Sequence, residues 1–442
     1  MSSTRRTFLR QLSAGLAVAP FVTRGLRAQS PNGKINHATF GTSSQALDDV
    51  ESIAAHPAIN VVAACDVDLK RTAEFKKKFP AARIYQDFRE LLEKERDLQS
   101  VNVSTPDHMH GPIGMAALRR GLHVYGEKPL THDLYESRRL TEFAREKKVV
   151  TQMGIQIHSG PEYRTGVKLI QDGAIGKVQE VHTWSSKAWG DTGAMPDRHD
   201  PVPEGLDWQL WLGVCADRPF IGDRWYHPGN WRKRLDFGTG TFGDMGCHIF
   251  DPVFAALALT APVSVRSLGP APNAHSWATD AIIHYVFPGT AFTEGQTVPI
   301  FWYDGKQRPP AEIQQQAKNP ANPKDKLPEQ GSIFLGTQGV MVLPHVGMPR
   351  LIGDAVKDTP ITKVAGDDHW KQFVQAILGE GPTAAPFDYA GPLTESVLLG
   401  SVATRFPKQQ LDWDAPGLKF TNVAEANAFV RRTYRAGWET AV

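Results

Sequence analysis

The sequence predicts an α/β protein in which an N-terminal doubly wound parallel sheet is followed by a second, α+β domain. Three observations carry that prediction. Short apolar runs alternate with amphipathic stretches from Ile35 to Met153. Beyond Gly176 the texture changes to longer strand-like runs separated by Trp-, Pro- and Gly-rich loops. The chain has 442 residues, 41% of them hydrophobic, which exceeds what one small core absorbs.

The elements follow in order. A strand is expected over residues 35–40, then a helix in which Leu47, Val50 and Ala54 recur at helical spacing. The next strand covers 59–65. Further helices are expected over 69–78, 88–95, 110–120 and 133–147, and further strands over 100–104, 123–125 and 149–153. Repeated strand–helix alternation needs crossover connections, and these give a parallel sheet covered on both faces. A helix over 162–172 and the turn Gly173-Ala174-Ile175-Gly176 lead into the second domain, with strands over 178–184 and 281–287. The Pro-, Gln-, Lys- and Asn-rich stretch 305–330 reads as a surface excursion. A terminal helix, 424–434, is expected to pack back on the body. The chain divides into an export segment 1–33, a dinucleotide-binding domain 34–155 and a substrate and oligomerisation domain 156–442.

Residues 1–33 stand apart because Thr4-Arg5-Arg6-Thr7-Phe8-Leu9-Arg10 precedes a modest apolar stretch, 12–22, with Arg24 and Arg27 behind it. This is similar to a twin-arginine signal, so the twin-arginine machinery is an expected partner and the periplasm, or another exported location, the expected destination. That route moves folded proteins, which suits a cofactor bound tightly before export.

Composition excludes other classes. The 49 basic and 47 acidic side chains nearly cancel to a formal charge of +2, and no basic stripe is available for a nucleic acid. No apolar run reaches the roughly 20 residues that span a bilayer, so membrane insertion of the mature chain is not expected. Cys65, Cys215 and Cys247 form no CxxC pair and no zinc-type spacing, and no disulfide framework is implied.

The chemistry is expected at the carboxyl ends of the strands. Gly41-Thr42-Ser43-Ser44-Gln45-Ala46 sits where a dinucleotide fingerprint reads G-x-G-x-x-G/A. Gly41 and Ala46 fit, while Ser43 replaces the glycine that lets the backbone approach the pyrophosphate. The hydroxyl of Ser43 can compensate by donating a hydrogen bond, and Ser44 joins the same loop. Asp66, at the end of the second strand, can accept from both ribose hydroxyls and repels a 2′-phosphate, which favours NAD over NADP despite Lys70 and Arg71 nearby. By itself this segment reads equally as an ordinary strand–turn–helix with Asp66 as a cap. Two more strand ends follow. Ser104, Thr105, Pro106 and His108 are expected cofactor contacts at one, and Glu127 and Lys128 at the other. Lys128 is a candidate proton carrier whose pKa burial and the nicotinamide charge would lower.

Glu127-Lys128-Pro129 behind such a half, followed by Gly243-Asp244-Met245-Gly246-Cys247-His248, resembles the glucose-fructose oxidoreductase, inositol dehydrogenase and rhizopine-catabolism (Gfo/Idh/MocA) family over essentially the whole mature chain. The resemblance implies a Rossmann domain holding a nicotinamide cofactor, and a C-terminal α/β domain whose large open, mainly antiparallel sheet covers a sugar, inositol or related substrate. It also implies a homodimer or homotetramer. Lys128 resembles the lysine that contacts substrate and nicotinamide, Asp244 the substrate-orienting acid and His248 the acid/base histidine. Asp251 extends the motif.

Asp244 and His248 are one helical turn apart and share a face, so an imidazole that titrates near neutrality can take a hydroxyl proton while Lys128 stabilises the alkoxide. Substrate contacts are expected from His158 and from Tyr226, His227, Trp231 and Arg232, whose loop can stack on pyranose C–H groups or simply pack; Trp184, Trp189, Trp208 and Trp211 carry the same two readings. Gln156 is a weaker cofactor candidate. His108, His110 and His158 lack metal-ligand spacing, and no metal is expected.

The expected function is therefore exported, NAD-dependent hydride transfer between a tightly bound cofactor and a hydroxyl or keto group of a sugar, glycoside or cyclitol. One alternative uses the same centre for transient oxidation, elimination of a glycosidic bond and re-reduction, with no net redox change. A third reading, a non-catalytic sugar-binding protein, is motivated by Ser43.

Overall fold

Strands whose side chains are buried on both faces can only sit inside a sheet covered by helices, and the first half of the chain supplies them. In the computed structural model, which describes residues 33–442 apart from 320, 321, 323, 324 and 440, β1 (Ile35–Phe40), β2 (Ile59–Cys65), β3 (Arg83–Tyr85), β4 (Ser100–Val103), β5 (His123–Gly126) and β6 (Thr151–Met153) form one parallel sheet. The export segment expected over 1–33 lies outside the described residues except for Gly33. The strand order is β3-β2-β1-β4-β5-β6. Neighbouring strands on the two sides of β1 are reached in opposite directions along the sheet, so a crevice opens beyond the carboxyl ends of β1 and β4. Strand β3 was not among the expected elements. Its three residues are only half-buried at best and show no apolar run; pairing of Ala63 to Cys65 with Arg83 to Tyr85 holds it.

Helices α1 (Gln45–Ala54), α2 (Ala73–Lys78), α3 (Phe88–Lys94), α4 (His110–Arg119) and α5 (Leu134–Lys147) alternate with these strands. Asp133 begins α5 by accepting from the Glu136 amide at 2.8 Å, and Lys148, in the left-handed region, ends it. The single helix expected over 69–78 is a 3-10 turn, Leu69–Thr72, followed by α2.

After α6 (Pro161–Gln171), β7 (Val178–Trp184), α7 (Trp208–Leu212), α8 (Gly240–Ile249) and α9 (Asp251–Ala256), the chain builds a second sheet. It adds β8 (Ser264–Ser267), β9 (Ile282–Pro288), β10 (Thr297–Tyr303), α10 (Ala311–Gln316), β11 (Gly331–Gly336), β12 (Val340–Pro344), β13 (Arg350–Ile352), α11 (His369–Ile377), α12 (Phe387–Ala403), β14 (Gln410–Asp414) and β15 (Lys419–Phe420). The nine strands run β13-β12-β11-β7-β10-β9-β8-β14-β15, antiparallel except for β7 beside β10. Phe242 and Phe250 from the α8 region pack on Tyr285 and Trp302 of this sheet, and the long, buried α12 closes the other side of α8. Helix α8 is thereby fixed on both flanks.

Later segments return to the first sheet. Phe373 and Val374 of α11 join Ile35, Ile53 and Tyr125, and the Trp370 indole donates to Asp49 Oδ1 at 3.0 Å. The excursion expected over 305–330 includes α10, whose Ile313 packs with Trp184 and Tyr303 and so covers part of the second sheet. The terminal helix expected over 424–434 is only a 3-10 turn, Ala424–Phe429. The reason is competition for backbone groups: Val430 O accepts from the Tyr135 amide, and the Arg432 amide donates to Asp133 Oδ2. No described helix is long and apolar enough to cross a membrane.

Candidate active site

A groove of about 540 Å³ occupies the crevice predicted by the strand order. Its floor is the β1–α1 turn. Gly41 has φ +100°, and a Cβ there would lie 2.7 Å from Ser104 O and 2.8 Å from the Ala46 Cβ, so the close approach of three segments requires glycine. The first intrahelical hydrogen bond of α1 runs from the Leu47 amide to Ser44 O; the amides of Ser43 to Ala46 precede it and face the position where a phosphate is stabilised by a helix N-terminus. Ser43, in place of glycine, accepts from Arg71 Nε at 2.9 Å, and Arg71 Nη2 lies 3.4 Å from Ser44 Oγ. The substitution thus brings a guanidinium to the phosphate loop.

Asp66 lies in the groove wall, where its Oδ2 accepts from the Thr42 amide and hydroxyl at 3.0 and 2.7 Å and its Oδ1 from the Asp68 amide at 3.0 Å. Burial pushes its pKa up against these hydrogen bonds. Asp66 therefore fixes the turn as well as facing the groove. Ser104, Thr105, Pro106 and His108 line the same groove. His108 Nε2 bonds Trp211 O at 2.8 Å, while His108 Nδ1 and Trp211 Nε1 are buried without a partner. Two orphaned polar atoms, the Gly41 cradle and the free amides fit a dinucleotide in this groove.

Lys128, Asp244 and His248 come together beside the groove. Lys128 Nζ donates to both Asp244 O and Asp244 Oδ1 at 2.9 Å. Trp189 Nε1 donates to Asp244 Oδ2 at 2.8 Å, Lys187 Nζ stands 3.8 Å from that oxygen, and Arg232 Nε is 3.5 Å from Oδ1. Burial alone would raise the Asp244 pKa, but Lys128 and Arg232 hold it well below the usual carboxylate range. Burial likewise favours neutral Lys128, yet Asp244 and Glu127 lift its pKa above the ordinary value. The expected lowering of Lys128 is thus reversed by its neighbours in this structure, and the lysine is a cation. His248 is pushed the other way: burial, with Lys128 and His345 nearby, keeps its imidazole neutral well below pH 6.5, and its Nδ1 has no partner. His345 stacks obliquely 5.8 Å from His248, accepts or donates at Tyr163 Oη over 2.8 Å, and is itself lowered to about 4 by burial.

Other expected contacts are placed differently. Glu127 accepts from Gln156 Nε2 at 2.7 Å and from the Lys128 amide at 3.1 Å, so both residues position the lysine segment from behind. His158 Nδ1 lies 2.9 Å from both Asp251 oxygens, and Tyr389 Oη donates to Asp251 Oδ1 at 2.6 Å. That ion pair ties down His158, which was expected to meet substrate. Tyr226 is 3% exposed among Trp208, Trp211 and Phe237 and offers no ring face to a sugar; a run of aromatics does not reveal which ring points inward. His227 Nε2 is 3.0 Å from Asp68 Oδ2, and it and Trp231 line the dinucleotide groove. Arg232 lines the groove and reaches Asp244, marking where groove and cluster meet. Of the four other tryptophans only Trp189 reaches the cluster; Trp184, Trp208 and Trp211 are buried. Lys187 and His345 were not anticipated. Each follows the end of a strand, β7 or β12, which is the one signal that marks them. Among the described residues no three or more His, Cys, Asp or Glu are grouped to hold a metal, and the three cysteines are free and buried.

The chain matches two family models in succession: an oxidoreductase family with an NAD-binding Rossmann fold over residues 35–155, and the C-terminal alpha/beta domain of an oxidoreductase family over 166–296. Levoglucosan dehydrogenase of Pseudarthrobacter phenanthrenivorans is 24% identical over 195 residues, 44% of this chain and 41% of that one. A scyllo-inositol 2-dehydrogenase (NADP(+)) of Bacillus subtilis is 24% identical over 206 residues, 47% of this chain and 48% of that one. The chain thus spans about half the length of the curated relatives it matches. The WlbA dehydrogenase from Bordetella pertussis, solved in complex with NADH and UDP-GlcNAcA, shares the fold with a TM-score of 0.60 at 13% identity, over 86% of this chain and 99% of that one.

Proposed function

The chain belongs to the Gfo/Idh/MocA oxidoreductase family, and on that premise we propose that it moves a hydride between a nicotinamide dinucleotide and a hydroxyl-bearing carbon of a sugar, glycoside or cyclitol. The observation that carries the proposal is the Lys128–Asp244 pair with neutral His248, set where Arg232 joins the groove to the cluster. The groove residues Gly41, Ser43, Ser44, Ala46 and Arg71 hold the pyrophosphate, with Asp66 at the ribose, which favours NAD over NADP. When bound there, the nicotinamide supplies the site that accepts or returns the hydride. His248 takes the substrate hydroxyl proton, for which a neutral imidazole is the competent form. The Lys128 ammonium stabilises the oxygen as its negative charge grows, and Asp244, kept ionised by three cations, accepts from a neighbouring hydroxyl and sets the ring. Trp189 fixes the carboxylate by its indole N–H. The sugar-linked dehydrogenases among the relatives support this substrate class.

The twin-arginine-like segment supports export with cofactor already loaded. A tightly held nucleotide must then be reset in place, by reduction of a second sugar or by a redox partner. A homodimer or homotetramer through the broad second sheet completes the reading. The test is single-turnover kinetics on nucleotide-loaded protein: Lys128→Met and His248→Asn should each slow appearance of reduced nicotinamide about 100-fold or more. Wild-type rates in both variants would refute the assignment.

A second reading gains support from His345. Two neutral imidazoles near one substrate suit a reaction in which one takes the hydroxyl proton and the other takes a proton from the carbon made acidic by oxidation, expelling a glycosidic leaving group. Water then adds at the vacated carbon and the hydride returns to the carbon it left. Release of aglycone with solvent deuterium in the sugar and no net reduced nicotinamide is the expected signature.

A further inference from the structure

A second cavity of about 370 Å³ lies behind the catalytic residues and shares no lining residue with the dinucleotide groove. It is walled by the segment that follows Lys128, by Thr239 just ahead of α8, by α12 and by the end of the chain. Three guanidinium groups, Arg218, Arg405 and Arg432, line it. Arg218 is neutralised by Asp236. Arg432 donates from Nη2 to Asp236 O and Cys215 Sγ, but its Nη1 is buried without an acceptor. The Arg405 guanidinium rests 5.1 Å from the Trp277 ring centroid and 4.5 Å from that of Phe429, with no hydrogen bond or carboxylate partner among the described residues. Two more wall residues, His132 and Ser401, also carry buried, unpartnered atoms, Nε2 and Oγ.

These groups form one unmet demand. Buried polar atoms in folded proteins are almost always paired, and three unpaired ones, on His132, Ser401 and Arg432, share the wall of this cavity. Arg405 and Arg432 Nη1 lack acceptors. His132 is kept neutral by burial and by Arg432, and its Nε2 is buried without a partner. Against three guanidinium charges the wall sets only Asp133 and Asp236, which leaves room for one negative charge. Leu398, Val402 and Trp277 supply apolar wall. We propose that this cavity is a binding site for a small hydroxylated oxyanion, its charged oxygens on Arg405 and Arg432 and an O–H on His132 Nε2. A sugar acid and a sugar phosphate share that chemistry. Its occupant would touch the segment that carries Lys128 and the start of the helix that carries Asp244 and His248.

The test is calorimetric titration of NAD-saturated protein with gluconate, glucose 6-phosphate and inorganic phosphate in low-chloride buffer. At least one should bind saturably, and which one binds distinguishes carboxylate from phosphate recognition. Arg405→Met should weaken that binding about tenfold or more, Ser401→Ala should weaken it less, and Lys128→Met should leave it unchanged, which separates this site from the catalytic one. If Arg405→Met loses its folded circular dichroism spectrum, the Ser401→Ala comparison decides. Saturable binding by none of the three probes, or equal affinity in wild type and the cavity variants, would overturn the proposal.

Discussion

Lys128 and Asp244 each keep the other charged, while burial, with Lys128 and against the pull of Asp244, keeps His248 neutral. The expected pH profile follows from that division. A base must be unprotonated to act, and His248 is depressed well below 6.5 by burial and by Lys128, so kcat/KM should stay level from pH 8 down to about pH 6 and fall only as the depressed pKa is crossed. A limb centred on the ordinary histidine value would contradict this. Lys128→Ala should cost about 10²–10³ in kcat, because the ammonium meets charge that develops only in the transition state. Gly41→Ala places a methyl 2.7 Å from Ser104 O at a φ of +100°, and purified variant protein should carry markedly less nucleotide than wild type. Lys128 was legible as a cation at a strand end, whereas Asp244 and His248 were marked by the family resemblance, with which their i, i+4 spacing agrees. Lys187 and His345 were not legible, since a single side chain beyond a strand has no periodic partner. Ser43 was legible as a departure, but its bond to Arg71 depends on a fold that brings two loops together.

Helix positions depend on pairs that no local pattern displays. His158 and Asp251 join the turn after β6 to the start of α9, with Tyr389 of α12 as the third member. Burial opposes a charged His158, but Asp251 outweighs it and raises the pKa above 6.5. The folded form therefore binds the proton more tightly than the unfolded chain. Its stabilisation is complete below pH 6.5 and is lost as pH rises through the folded value. Asp251→Asn should reduce stability by about 1.5–3 kcal/mol near pH 6, and by less near pH 9, in denaturant titrations. A pH-independent loss would show that Asp251 acts as a cap or packing group alone. The repeated strand–helix alternation of the first half was readable because buried strands and amphipathic helices have distinct periods. Strand β3 and the 3-10 turn at Ala424–Phe429 were not, because long-range pairing decides the first and side-chain competition for backbone groups the second.

At the scale of the molecule, the two sheets meet around α12, and α11 returns from the far end of the chain to cover the first sheet. The fold class was legible in the alternation and in the change of texture. The large, mainly antiparallel second sheet was implied only by family resemblance, since three of its eight pairings, β11 with β7, β7 with β10 and β8 with β14, join strands that are not neighbours in the chain. Retention of the dinucleotide follows from the proposed export in folded form, and extended dialysis should leave nucleotide on the protein. The most direct test of the central claim is to identify the nucleotide released by denaturing protein purified from the cytoplasm, and to follow the absorbance of reduced nicotinamide when the undenatured protein meets candidate sugars. Stoichiometric NAD, reduced by at least one sugar in wild type and not in Lys128→Met, is the expected result. Folded protein that carries no nucleotide and takes up none from excess NAD would contradict the claim and leave a sugar-binding protein in its place.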